Sequence, residues 1–176
     1  MNTIEVLIRP EQAEDTEAIH ALNVAAFGRE NESQLIELLR KSDAFIPKLS
    51  LVAVLDHEIA GHILFTKINI MGNNDQEYPS LALAPMAVAP DFQHQGIGSQ
   101  LISQGLEKAK ALAYTSVIVL GHEKYYPRFG FVPTSQWNIV PPFEVPASAF
   151  MGIELQAGAL QDISGTVRYP KEFEMV

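Results

Sequence analysis

The residues best suited to chemistry fall in one short segment, Gln93-His94-Gln95-Gly96-Ile97-Gly98-Ser99. An apolar run, Leu81–Val88, precedes it, and a stretch with helical spacing of its apolar residues, Gly98–Leu112, follows. Two glycines two apart let a backbone turn sharply and approach a ligand with no Cβ in the way. A helix opening directly behind them presents amide N–H groups and the positive end of its dipole, which together hold a phosphate. A tight turn present only for packing would use the same two glycines. No Gly-Lys-Ser/Thr follows, so a Walker-type nucleotide loop is excluded. A dinucleotide fingerprint lacks its third glycine near Leu101 and its acidic residue at the next strand tip.

The elements that must position this loop can be read from periodicity. Ile4–Ile8 alternates apolar and charged residues and is broken at Pro10, a short opening strand. Asp15 is placed to cap a helix with Ala18, Ile19, Leu22, Ala25, Ala26 and Phe27 on one stripe, ended by Gly28. Arg29-Glu30-Asn31 links it to a second helix, Glu32–Leu39, with Leu35, Leu38 and Leu39 inward. Leu49–Leu55 and Ile59–Ile70 are strands of a hairpin around Asp56-His57-Glu58, and Met71–Ser80 is polar and turn-rich. Leu81–Val88 is apolar without alternation, as in a strand covered on both faces. Gly98–Leu112 buries Leu101, Ile102, Gly105, Leu106 and Ala109, and Ser116–Leu120 is a second short buried strand. Leu81 to Leu120 is therefore a strand, glycine loop, helix, strand unit with a parallel pair. A turn at Glu123–Phe129, a Pro-rich stretch at Val132–Pro146 and a strand at Met151–Leu155 complete a mixed α+β sheet.

The 176 residues suit one domain over 1–176, with a core at about 4–135 and C-terminal strands and loops over 136–176. An apolar share of 47% with 19% charged residues excludes general disorder. No apolar run reaches membrane-spanning length, and Met1–Arg9 does not read as a signal peptide, so a cytoplasmic protein with no membrane partner is expected. A net charge of −9 argues against nucleic acid as a partner. There is no cysteine, which removes thiol catalysis, disulfides and thiolate metal sites together. His20, His57 and His62 are scattered without metal-ligand spacing, so no metal is expected.

Gln93-x-x-Gly96-x-Gly98, after a strand closing on Ala89-Pro90 and before an amphipathic helix, resembles motif A of the GNAT acetyltransferase superfamily. Tyr125-Tyr126-Pro127-Arg128-Phe129-Gly130-Phe131, directly after the fifth strand, resembles motif B. The stretch from Val119 to Phe131, and Ala26-Phe27-Gly28 with its acidic, Leu-rich following helix, are similar to a bacterial subgroup of predicted N-acetyltransferases. The match is most specific over Leu81–Phe131 and extends from Ile8 to about Tyr169.

The resemblance implies the GNAT acyl-CoA N-acyltransferase fold, a mixed, mostly antiparallel sheet flanked by helices, with fourth and fifth strands that splay apart. It implies an acetyl-CoA-dependent N-acetyltransferase acting on a small-molecule or peptide amine. The backbone of Met86, Ala87 and Val88 would pair with the pantetheine arm, and the amides of Gln93, His94, Gln95, Gly96, Ile97, Gly98 and Ser99 would hold the pyrophosphate. Tyr126 stands at the position of the family's frequent general acid, which protonates the departing thiolate; Tyr125 is its neighbour and alternative. Pro127 departs from the family pattern and requires a short or late-starting local helix. The fourth strand carries no glutamate for the general base, leaving His122, Glu123, Glu30, Glu32 or water. A non-catalytic acyl-CoA-binding sensor is the alternative function. The C-terminal stretch, with Trp137, Phe143, Phe150 and Met151, would wall an acceptor pocket, pack an edge, or contact a second copy in a homodimer.

Overall fold

The computed structural model describes residues 4–176; the start of the segment weighed above as a signal peptide, residues 1–3, lies outside them. Two compact units emerge, each discontinuous in sequence: residues up to Thr66 with Ala84–Lys108 and Lys171–Val176 form the first, and Lys67–Leu83 with Ala109–Pro170 the second.

In the first unit, β1 (Leu7–Pro10), β2 (Phe45–Leu55), β3 (Glu58–Met71, through Thr66) and the later half of β4 (Glu77–Val88) lie in that order. β1 pairs antiparallel with β2 from Leu7↔Val54 to Pro10↔Leu51. The opening strand thus lies later than its alternation suggests and includes Pro10, which an edge strand tolerates. Asp56 and His57 both take left-handed conformations (φ 49° and 66°) and form the two-residue hairpin turn between β2 and β3.

Helices α1 (Thr16–Phe27) and α2 (Asn31–Arg40) cover one side of these strands. Ile19, Leu35, Ile36 and Leu39 close on Val52 and Leu64, with Phe45 and Phe173 packed against them. The buried stripe of α1 is narrower than its apolar residues suggest: Ile19 and Leu22 are buried with Asn23, whereas Ala18, Ala25 and Phe27 are exposed. Gly28 ends α1 in the left-handed conformation (φ 70°), as expected. Asp15 precedes α1 but does not cap it by its side chain. Its carboxylate instead accepts from the Gln12 amide (2.7 Å) and the Arg9 guanidinium (2.7 and 3.1 Å).

In the second unit, β4 pairs parallel with β5 (Ser116–Leu120), β5 antiparallel with β8 (Phe150–Glu154), and β8 with β6 (Val132–Pro133). β9 (Gly165–Arg168), not foreseen in the sequence, lies antiparallel to β3 and parallel to β7 (Ile139–Val140). Ile68, Ile70, Ala82, Ile118, Ile139, Phe150, Leu160 and Val167 form its core. The expected turn-rich span Met71–Ser80 is half strand: β3 runs to Met71 and β4 begins at Glu77, with a 3-10 turn at Asn73–Asp75 between them. Mixed pairing around the parallel pair β4/β5 is the α+β arrangement that the sequence predicts, and β7 with β9 adds a second parallel pair.

Candidate functional site

The glycine loop lies within the first unit. Its approach is the later half of β4, where Pro85 and Ala87 are buried while Ala84, Met86 and Val88 are half-buried. This alternation corrects the expectation of a strand covered on both faces: one face of apolar residues stays accessible. The ladder between β4 and β5 consists of Leu81↔Val117 and Ala82↔Ile118, so Met86, Ala87 and Val88 lie past its end. On the other side, the Ala89 amide donates to the Ala60 carbonyl of β3 (2.8 Å).

Pro90–Phe92 then makes a 3-10 turn, and Gln93 is extended, its side-chain Nε2 donating to the Val88 carbonyl (3.0 Å). That bond ties the first loop residue to the last strand residue. His94 (φ 64°) and Gly96 (φ 83°) are both left-handed. Left-handed residues inside a turn bring successive N–H groups to face one concavity, the geometry of anion-binding nests. The Gly96 carbonyl accepts from Gln100 N (3.1 Å), which opens α3 (Ile97–Ala111). The Ile97 and Gly98 amides therefore precede the first bond of the helix and have no acceptor one turn back. The loop that the sequence singles out has the backbone of an anion cradle on a helix of fifteen residues. Its helix is held close to β3 because Gly61 has no side chain: a Cβ there would stand 2.9 Å from Leu101 Cδ1 and 3.3 Å from the Ala87 carbonyl.

Tyr126 lies in the second unit. Past Leu120 the Gly121 amide donates to the Ala149 carbonyl (2.9 Å), and the His122 carbonyl accepts from Tyr125 N (3.0 Å) and Tyr126 N (3.3 Å). A 3-10 turn over Tyr126–Phe129 follows, closed by Gly130 at φ 104°. Pro127 fits in its first positions, so the local helix is short, as the proline requires. The Tyr126 ring lies on the bare Cα of Gly121, where a Cβ would come within 2.8 Å of Cδ2. It meets Phe131 edge-on at 5.7 Å and Tyr125 at 5.2 Å. Burial pushes its hydroxyl up to about 12, with a smaller push from Tyr125, so it is a neutral proton donor across the physiological range. Tyr125 is otherwise engaged, with the Arg128 guanidinium 4.6 Å over its ring.

Of the remaining candidates, Glu30 and Glu32 belong to the first unit and His122 and Glu123 to the second. His122, Glu123 and Glu30 are exposed. Glu32 is buried, but Arg29 Nε donates to both of its oxygens (2.7 and 3.1 Å). Among the described residues no group of three or more His, Asp or Glu is placed to hold a metal ion, and no helix is long and apolar enough to cross a membrane.

Sequence reasoning missed one polar chain in the first unit. Arg40 donates to both Glu11 oxygens (3.2 and 2.8 Å), Ser50 Oγ donates to Glu11 Oε1 (2.6 Å), and His62 Nε2 lies 2.9 Å from Ser50 Oγ. With the Ser50 proton committed to Glu11, Oγ accepts from His62, which fixes the Nε2–H tautomer. Full burial, with the nearby Arg40 charge, pushes His62 down to about 3, so it is neutral. The available signal is a histidine inside the otherwise apolar run Ile59–Phe65.

The model of the acetyltransferase (GNAT) family matches residues 16–131. The chain is 37% identical over 133 residues to the uncharacterized N-acetyltransferase YjhQ of Escherichia coli K12, covering 75% of this chain and 73% of that protein. The crystal structure of the GNAT family N-acetyltransferase YhbS of Escherichia coli in complex with CoA superimposes with a TM-score of 0.90 at 28% identity, over 99% of this chain and 94% of that one. A GNAT family acetyltransferase of Brucella melitensis in complex with acetyl-CoA gives 0.76 at 28% identity, covering 96% and 98%.

Proposed function

Since the chain belongs to the GNAT family of acetyltransferases, we propose that it moves the acetyl group of acetyl-CoA to an amine by direct attack within a ternary complex. One observation carries the donor assignment: the loop of Gln93 to Ser99 joins left-handed His94 and Gly96 to the opening turn of α3. The amides of Gln93, His94, Gln95, Gly96, Ile97, Gly98 and Ser99 bind the pyrophosphate. The backbone of Met86, Ala87 and Val88, past the end of the β4–β5 ladder, pairs with the pantetheine arm. The accessible apolar face of Ala84, Met86 and Val88 suits its uncharged chain. The CoA-bound and acetyl-CoA-bound relatives support this reading.

In the reaction the amine nitrogen forms a bond to the acetyl carbon, the carbon–sulfur bond breaks, and the thiolate leaves. Tyr126 delivers its phenolic proton to that sulfur and is reprotonated from solvent; the amine loses a proton to water or to a group such as His122. Positioning the amine against the thioester supplies most of the acceleration. No acyl-enzyme is needed.

Isothermal titration with acetyl-CoA and, separately, with ATP tests the donor assignment. Micromolar binding of acetyl-CoA with no competing affinity for ATP is expected, and absence of acetyl-CoA binding would refute it. An amine screen then tests transfer: binding without turnover of any amine would leave an acyl-CoA sensor instead.

A further inference from the structure

Taking the loop as the acetyl-CoA cradle proposed above, we infer that Gln93 is a positioning residue: its side chain closes the end of β4 and sets the spacing between pantetheine arm and pyrophosphate. The free edge of β4 can be assigned atom by atom. A trans peptide points its C=O and N–H to opposite sides, and an extended residue points its own two groups to the same side. The Ala89 amide donates to the Ala60 carbonyl of β3 (2.8 Å), so the Val88 carbonyl, in the same peptide, faces away from β3. The Ala87 carbonyl lies toward β3, 3.3 Å from where a Cβ on Gly61 would stand, so the Val88 N–H, in that peptide, also faces away. Ala87 is extended within β4, which turns its N–H toward β3 and the Met86 carbonyl away from it. Met86 C=O, Val88 N–H and Val88 C=O therefore share the edge opposite β3, past the last rung to β5 at Ala82↔Ile118.

Gln93 takes one of the three. Its Nε2 donates to the Val88 carbonyl (3.0 Å). This leaves an acceptor on Met86 and a donor on Val88, with Ala87 as the spacer between them. An extended chain of amides, such as the pantetheine arm, pairs with that couple and goes no further along the strand.

The same bond holds the loop to the strand. Between Val88 and Gln93 the chain turns through Pro90–Phe92, and the Phe92 amide donates to the Ala89 carbonyl (2.8 Å). Gln93 N lies 3.5 Å from the Pro90 carbonyl, beyond a good N–H···O distance, so the side chain is the firmer tie at the entry to the loop. Gln93 is exposed, so the tie adds little to the core, and its effect falls on a ligand that spans strand and loop. Fixing that span beforehand lowers the ordering cost of binding.

Calorimetry of the full chain with CoA, and with its nucleotide half adenosine 3′-phosphate 5′-diphosphate by displacement of CoA, separates the two ends of the ligand. The half-ligand reaches the cradle but not the strand edge. Gln93→Met, close in size but without a donor, should weaken CoA binding about 3- to 10-fold, the share of one hydrogen bond, and the half-ligand less than about twofold. Gln93→Arg, which restores N–H donors, should return the ratio of the two affinities to that of the parent chain. Unchanged CoA affinity in Gln93→Met, an equal loss for both ligands, or a ratio in Gln93→Arg like that of Gln93→Met would each overturn the role of Gln93. Absence of CoA binding by the parent chain would instead refute the cradle itself, and this role with it.

Discussion

Gly121→Ala tests whether the seat of Tyr126 matters to the chemistry. Gly121 is not in the left-handed region, so alanine meets no backbone penalty and the effect is steric. The added Cβ would stand 2.8 Å from Tyr126 Cδ2, closer still to Cε2, and 3.2 Å from Cζ. Carbon pairs settle at roughly 3.5–4 Å, so the ring must move by about 1 Å. Buried Phe131, 5.7 Å away edge-on, limits its retreat. Overpacking of this kind costs about 1–3 kcal/mol, which for a chain of this size lowers Tm by about 2–12 °C. A displacement of about 1 Å at a reacting group costs up to about 100-fold in rate. The expected result is a fall in kcat of about 10- to 100-fold with KM for acetyl-CoA nearly unchanged, because the cradle residues belong to the other unit. Release of the CoA thiol can be followed with a thiol reagent, and the chain, having no cysteine, adds no background. A lower Tm with unchanged kcat would show that Tyr126 packs there without donating a proton. Unchanged Tm and kcat together would refute the packing itself.

Three further outcomes are expected. Gly96→Glu puts a side chain at φ 83° and a negative charge into the cradle, and should abolish measurable acetyl-CoA binding by calorimetry; unchanged affinity would sink the loop assignment. Tyr126→Phe should lower kcat with little change in acetyl-CoA affinity. Because the acid must be protonated and burial raises it to about 12, kcat should show no descending limb from Tyr126 below about pH 11, and a limb near pH 9 lost in Tyr126→Phe would contradict the burial. His62 binds its proton near pH 3 when folded and near 6.5 when unfolded, so the unfolded chain takes up protons first as pH falls. Its contribution to stability is complete above pH 6.5 and drains by up to about 1.4 kcal/mol per pH unit below it. Urea midpoints at pH 7 and pH 5 should converge in His62→Gln relative to the parent chain, and an equal drop in both would refute the role of His62.

The backbone of the glycine loop and the short turn at Tyr126–Phe129 were legible because their signals are local: a Gly-x-Gly turn, a helix opening behind it and a proline that shortens the next turn all act within a few residues. Ser116–Leu120 was legible to the residue, since a short β-rich apolar run between turns has one reading. The half-exposed face of Ala84, Met86 and Val88 was not, because an all-apolar run hides which side is covered until the neighbouring strands are placed. β9 escaped because Gly165–Arg168 has only four residues and acquires its strand character from β3 and β7. The Arg40–Glu11–Ser50–His62 chain joins residues up to 51 positions apart, and no local pattern marks it.

Phe173, packed on the core between α1, α2 and β2, has a consequence for how the chain comes off the ribosome. Ile19, Leu35, Ile36, Leu39 and Val52 are translated early, and the segment Lys171–Glu174 that rests on α2 emerges more than a hundred residues afterwards. An early core that waits for a late aromatic must be held open or shielded in the interval, because domains otherwise tend to close in the order of synthesis. The long separation also slows closure, since contacts distant in sequence form after local ones. Nascent chains stalled before Lys171 should therefore be more sensitive to protease in α1 and α2 than chains that have delivered Phe173.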